Sequence, residues 1–143
     1  MNILFDGQLI TTSLTINYRG NSTRIDDVII DTGSSHTVIS PDVLETIGVK
    51  YENGDTIYEA YGIGGSVPVY TKVMDEIRIG TFIIKNFELD VGMLPAEHSG
   101  LLGLDILKPN KFILDLDKLE LYQSKGNRNL ESNFCYPIFM LIL

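Results

Sequence analysis

Along most of this chain, β-branched and aromatic residues alternate with polar ones in short runs, each closed by turn residues. Leu9 to Tyr18, LITTSLTINY, alternates with period two and is rich in Thr and Ile, which predicts a strand. Arg19-Gly20-Asn21-Ser22 carries turn chemistry, and Arg24 to Ile30 returns as a second strand. Asp31-Thr32-Gly33-Ser34-Ser35 breaks that strand abruptly. Ser40 before Pro41 marks a helix start and predicts a short helix over Pro41 to Ile47, ended by Gly48. Strands at Tyr58 to Tyr61 and Val67 to Ile79 flank a tip at Gly62-Ile63-Gly64-Gly65. Gly80-Thr81 turns the chain into Phe82 to Val91, and Leu104 to Leu107 predicts a second short helix that stops before Pro109. Phe112 to Tyr122 reads as a strand, a turn at Asp117-Lys118 and another strand.

The expected architecture is therefore all-β with one or two short helices. At 143 residues the chain fits one domain, and 44% hydrophobic residues supply a packed core. No low-complexity block divides it. The expected division is a domain over residues 1–125 and a tail over 126–143, in which a polar stretch precedes the apolar run Phe134 to Leu143, FCYPIFMLIL. Ten residues are too few to span a bilayer, so the tail is read as a strand or segment packed on the domain or on a partner. There is also a faint internal echo: strand, turn, strand, small-residue loop and helix occur around residues 9–47 and again around 73–108.

Charge and composition narrow the chemistry. Eleven Lys and Arg against nineteen Asp and Glu give a net charge of −8, which argues against nucleic acid as a partner. A single cysteine, Cys135, forbids an intrachain disulfide, and His36 and His98 lie far apart without metal-ligand spacing, so no metal centre is expected. The N-terminal residues lack the basic and apolar regions of a signal peptide, so a cytoplasmic location is the expectation, with membrane association through the apolar C-terminus as the alternative.

The candidate chemistry gathers at Asp31. Val28-Ile29-Ile30 delivers it at the end of an apolar strand, where desolvation raises a carboxyl pKa. Gly33 allows a tight turn, and Thr32 and Ser34 offer hydroxyls that can orient the carboxylate. Taken alone, the tripeptide is equally a polar strand-end turn whose Asp accepts backbone N–H bonds.

The flanks add specificity. VIIDTGSSHTVIS (28–40), YGIGG (61–65) and GLLGLDIL (100–107) follow in a set order, and together they resemble the active-site segment, flap tip and second apolar-Gly motif of the retropepsin-like aspartic proteases. The resemblance covers about residues 8 to 123 and leaves the apolar tail unmatched. It implies an acid-protease β-barrel with a flap hairpin and one catalytic Asp per chain. The chemistry needs two carboxylates sharing a proton, one as base on water and one as acid on the carbonyl. Asp90-Val91-Gly92 lacks the hydroxyl and reads as a strand end, so a homodimer would supply the second Asp31 across a two-fold axis. No cofactor is then required.

By position in that pattern, Asp31 forms the dyad, Thr32 bonds across the interface, Gly33 brings backbone near substrate, and Ser34 donates to the carboxylate. Gly62, Ile63, Gly64 and Gly65 form the flap tip over a peptide or protein substrate, although an ordinary hairpin turn would have the same sequence. Ser35, His36, Leu94, Pro95 and Leu101 are cleft-wall candidates, with a core role open for Leu101 and for Val38. Leu102 and Gly103 support the active-site loops. His36 either tunes a subsite with pH or is a solvated loop residue, Tyr58 and Tyr61 pack on a strand face, and Asp105 with Arg24 is a possible structural ion pair. The implied function is an aspartic-type endopeptidase. The alternative is a non-catalytic dimerisation or peptide-binding module on the same fold.

Overall fold

The computed structural model describes residues 1–95, 98–125 and 141–142. Eleven strands and two short helices follow the order β1 (Leu4–Phe5), β2 (Ile10–Tyr18), β3 (Asn21–Ile30), β4 (Val38–Ile39), α1 (Pro41–Glu45), β5 (Ile57–Gly62), β6 (Gly65–Ile79), β7 (Phe82–Gly92), β8 (Gly100–Leu102), α2 (Leu104–Leu107), β9 (Phe112–Asp115), β10 (Glu120–Gln123) and β11 (Leu141–Ile142).

The period-two runs become the long strands. On β2 the residues Thr12, Leu14, Ile16 and Tyr18 point inward and their neighbours lie half-exposed. Arg19 (φ 47°) and Gly20 (φ 85°) make the tight turn into β3, so pairing starts at Asn21, earlier than the turn chemistry suggested. A bulge interrupts this hairpin: Thr12 faces Val28, but Leu14 faces Ile25. Asp27, at φ 58°, absorbs the extra residue, and Val28 beyond it turns into the core.

The strands β2, β3, β8, β4, β7 and β6 pair in succession, and β6 returns to β2, closing a six-stranded barrel. Its interior is filled by Ile16, Ile25, Ile39, Met74, Ile77, Leu89 and Leu102, all essentially solvent-free. Two short strands complete the closure: β8 lies parallel to β3 (Val28 opposite Gly100), and β4 lies parallel to β7 (Val38 opposite Asp90).

The internal echo has a counterpart in the element order. β2, β3, β4, α1 recurs as β6, β7, β8, α2, and exchanging the halves turns the β3–β8 pairing into the β7–β4 pairing. In that exchange Val38 corresponds to Leu101, each two residues before its helix cap, so Asp90 corresponds to Ile29 and Gly92 stands where the first half has Asp31. The second half therefore carries no carboxylate at the strand end.

The hairpin of β5 and β6 runs past the end of β7, because β6 pairs with β7 only from Val69 onward. Beyond that point its strands pair with each other, and β11 lies parallel to β5 at Tyr61 and Gly62. The rest of the predicted tail strand, Phe134 to Met140 and Leu143, lies outside the described residues. α1 ends at Glu45, shorter than predicted, since Ile47 and Gly48 close the helix through turn bonds to Leu44 and Glu45. No helix among the described residues is long and apolar enough to cross a membrane.

Candidate active site

Two loops cross at the mouth of the barrel. The first follows β3 and runs from Asp31 to Thr37; the second follows β8 and enters α2 through Gly103. Backbone bonds lace them together: Asp31 N–H donates to the Leu102 carbonyl (3.0 Å), Leu104 N–H to Ser34 (2.9 Å) and Asp105 N–H to Ser35 (3.2 Å). Thr37 is the buried pivot. Its amide and hydroxyl both donate to the Asp105 carboxylate (2.9 and 2.7 Å), and its hydroxyl oxygen accepts the Gly103 N–H (3.0 Å). Burial pushes the Asp105 carboxyl pKa up, against the lowering effect of the Thr37 bonds.

Gly103 is required by this crossing. A Cβ there would lie 2.4 Å from the His36 carbonyl oxygen and 2.9 Å from that of Ser34. Its φ of −101° suits any residue, so the demand is for space and not for conformation.

Asp31 sits half-exposed at the head of the first loop, and one carboxylate oxygen accepts the Gly33 N–H at 2.9 Å. That bond fixes the carboxylate as a two-residue turn does. The Ser34 hydroxyl has a different partner from the expected one. It is fully buried and donates to the His36 carbonyl at 2.7 Å, so it braces the loop and not the Asp31 carboxylate. Thr32 is exposed in the single chain.

The other candidates separate by burial. Leu94 and Leu101 are buried with Val38, Ala60 and Val69 in a small apolar cluster that joins the active-site loops to the base of the β5–β6 hairpin. Pro95 is exposed, and the Ser35 hydroxyl is buried without a hydrogen-bond partner among the described residues. Leu102 lies in the barrel core. Gly62 and Gly65 are the last paired residues of the hairpin, Ile63 and Gly64 form its two-residue tip, and the Ile63 side chain is 85% exposed.

His36 is neither a solvated loop residue nor alone. It meets Tyr58 of β5 and the buried Asp90 of β7, a grouping that sequence reasoning missed. Asp90 had read as a strand end and Tyr58 as packing. Arg24 pairs with Asp26 and not with Asp105, which Thr37 occupies. No three potential metal-ligating side chains converge among the described residues.

A family model for aspartyl proteases matches residues 13–106, about two thirds of the chain, and the chain belongs to that family. Its fold is retropepsin-like. A solved retropepsin-like aspartic protease from Rickettsia conorii superimposes with a TM-score of 0.57 over 80% of this chain and 82% of that one, at 16% identity. No curated protein matches the chain significantly in sequence.

Proposed function

We propose that the chain is an aspartic endopeptidase that acts as a homodimer, with one Asp31 from each copy forming the catalytic pair. The observation that carries this reading is the placement of Asp31. Its carboxylate is held by the Gly33 amide at the end of a barrel strand, inside the segment matched to the aspartyl protease family, while the corresponding position of the second half is Gly92. One chain thus brings one such carboxylate, and a second copy is the source of its partner.

Two carboxylates held close cannot both ionise, so they share a proton. The charged one takes a proton from water as it attacks the peptide carbonyl, and the protonated one donates to the carbonyl oxygen. Thr32, exposed in the single chain, faces the partner beneath the pair. The β5–β6 hairpin closes over an extended peptide held largely through main-chain hydrogen bonds, with Ile63 at its tip.

Cleavage of a mixed peptide library across about pH 3 to 7 tests the proposal, since a carboxylate pair gives a bell-shaped profile. Activity that disappears in Asp31→Asn is the expected result. A dimeric protein that cleaves nothing at any pH would shift the assignment to a peptide-binding module.

A further inference from the structure

One buried carboxylate lies outside this chemistry yet touches both parts that must move relative to each other. Asp90 stands in β7, 4% exposed, opposite Thr71 on one side and Val38 on the other. Its Oδ2 accepts the Tyr58 hydroxyl and lies 2.8 Å from His36 Nδ1, which is itself 3.0 Å from the Tyr58 oxygen. Tyr58 belongs to β5 of the hairpin, and His36 belongs to the loop that begins at Asp31. β7 is part of the closed barrel. A buried carboxylate needs such partners, because an unpaired charge there is costly.

We infer that Asp90 is a positioning residue that fixes the β5–β6 hairpin to the active-site loop, through Tyr58 and His36, and that its grip on the loop depends on the charge of His36. The inference rests on the reading of this hairpin as a flap over a peptide cleft.

The surroundings favour the charged imidazole. His36 faces Asp90 from β7 and Asp105 from α2. A cavity of about 600 Å³ beside it is lined also by Glu88 and Tyr58, with Thr56, Thr71, Asn86 and Phe87 completing the wall and, among the described residues, no Lys or Arg in it. The His36 pKa is raised, chiefly by its bond to Asp90, with burial opposing and Asp105 adding. Burial and Asp90 push the Tyr58 phenol far upward, so Tyr58 stays an O–H donor. Tyr58 therefore adds no charge change of its own near neutral pH. Below its raised pKa, His36 makes a charge-assisted bond to Asp90; above it, that bond weakens and the loop is held less firmly.

The test uses the full chain and three readouts: His36 titration by NMR (assigned with His36→Gln), amide exchange of β5 corrected for intrinsic rate, and KM and kcat against pH. In the wild type, β5 protection should fall and KM rise several-fold as pH passes through the His36 transition, whereas kcat should follow only the alkaline limb of the carboxylate pair. In Asp90→Asn the His36 transition should move down, and KM should stay high and flat with pH. Tyr58→Phe should loosen β5 at every pH while leaving His36 raised, and it tests the same joint should Asp90→Asn fold poorly. Wild-type β5 exchange in Tyr58→Phe, or β5 protection that ignores the His36 transition, would overturn the inference. A chain that cleaves no peptide would refute the protease reading, yet exchange and titration would still decide whether Asp90 holds the hairpin.

Discussion

Replacing Gly103 by Ala isolates the crossing on which the site depends. The new methyl would lie 2.4 Å from the His36 carbonyl oxygen and 2.6 Å from its carbon, about 1 Å inside ordinary contact, and both are backbone atoms that cannot swing aside. Relief requires the two loops to part by about that distance. The bonds from Leu104 N–H to Ser34, from Asp105 N–H to Ser35 and from Gly103 N–H to Thr37 would then stretch beyond useful length. At about 1 kcal/mol each the loss is about 3 kcal/mol, in the range of overpacked cores, and the unfolded-state gain of Gly→Ala offsets less than about 1 kcal/mol of it. A loss of that size lowers Tm by roughly 5 to 10 °C for a domain of this length. Urea and thermal unfolding provide the measurement. Gly64→Ala is the control, because nothing lies within 4 Å of a Cβ there and its φ is not in the left-handed region. Its stability should stay within about 0.5 kcal/mol of wild type. If Gly103→Ala were as stable as Gly64→Ala, the tight crossing would be refuted.

Further consequences are equally direct. Thr37→Val keeps the side-chain shape but removes the hydroxyl that serves Asp105 and Gly103, leaving buried polar groups unpaired, and should cost about 2 to 3 kcal/mol in urea unfolding. Lys72, buried beside Glu52 and Asp55 at 2.7 Å each, lowers the pKa of both carboxyls; its bond is the largest cause for each, and Glu52 is held at about 2. Depressed carboxyls stabilise the fold above their unfolded pKa, 4.5 for Glu52, and that contribution should fade as pH drops towards about 2. Urea midpoints over this window should therefore show a steeper acid loss in wild type than in Lys72→Met, and equal slopes would contradict the assignment. Ser34→Ala should lower stability by about 1 kcal/mol through the lost bond to His36, while leaving the acid limb of any activity profile in place. A shift of that limb would show that Ser34 acts on the Asp31 carboxylate after all.

The long strands were legible for two reasons: β2 keeps period two, and β3, β6 and β7 are β-branched and aromatic runs closed by turn residues; each falls within a few residues of its predicted span. β4 and β8 were not, since strands of two and three residues have no period and exist only because β7 and β3 pair with them in parallel. The bulge at Asp27 was hidden for a related reason. Nothing local marks it, and register with β2 imposes it.

Asp31 could be found because its loop is written in adjacent residues. Asp90 could not, because its partners stand 54 and 32 positions away and its own neighbours spell an ordinary strand end. Ser34 shows the opposite failure: a hydroxyl three residues from a carboxylate suggested a bond, but full burial turned it towards the nearer carbonyl of His36.

The shared-site claim is tested most directly by mixing subunits. Wild-type chain and Asp31→Asn are combined in equal amounts at constant total concentration, allowed to exchange, and assayed on a cleavable peptide. Random pairing into dimers that need both Asp31 carboxylates leaves about a quarter of the wild-type activity, because mixed pairs carry one carboxylate. Half the activity, in simple proportion to the wild-type chain, would mean that each chain works alone and would contradict the account.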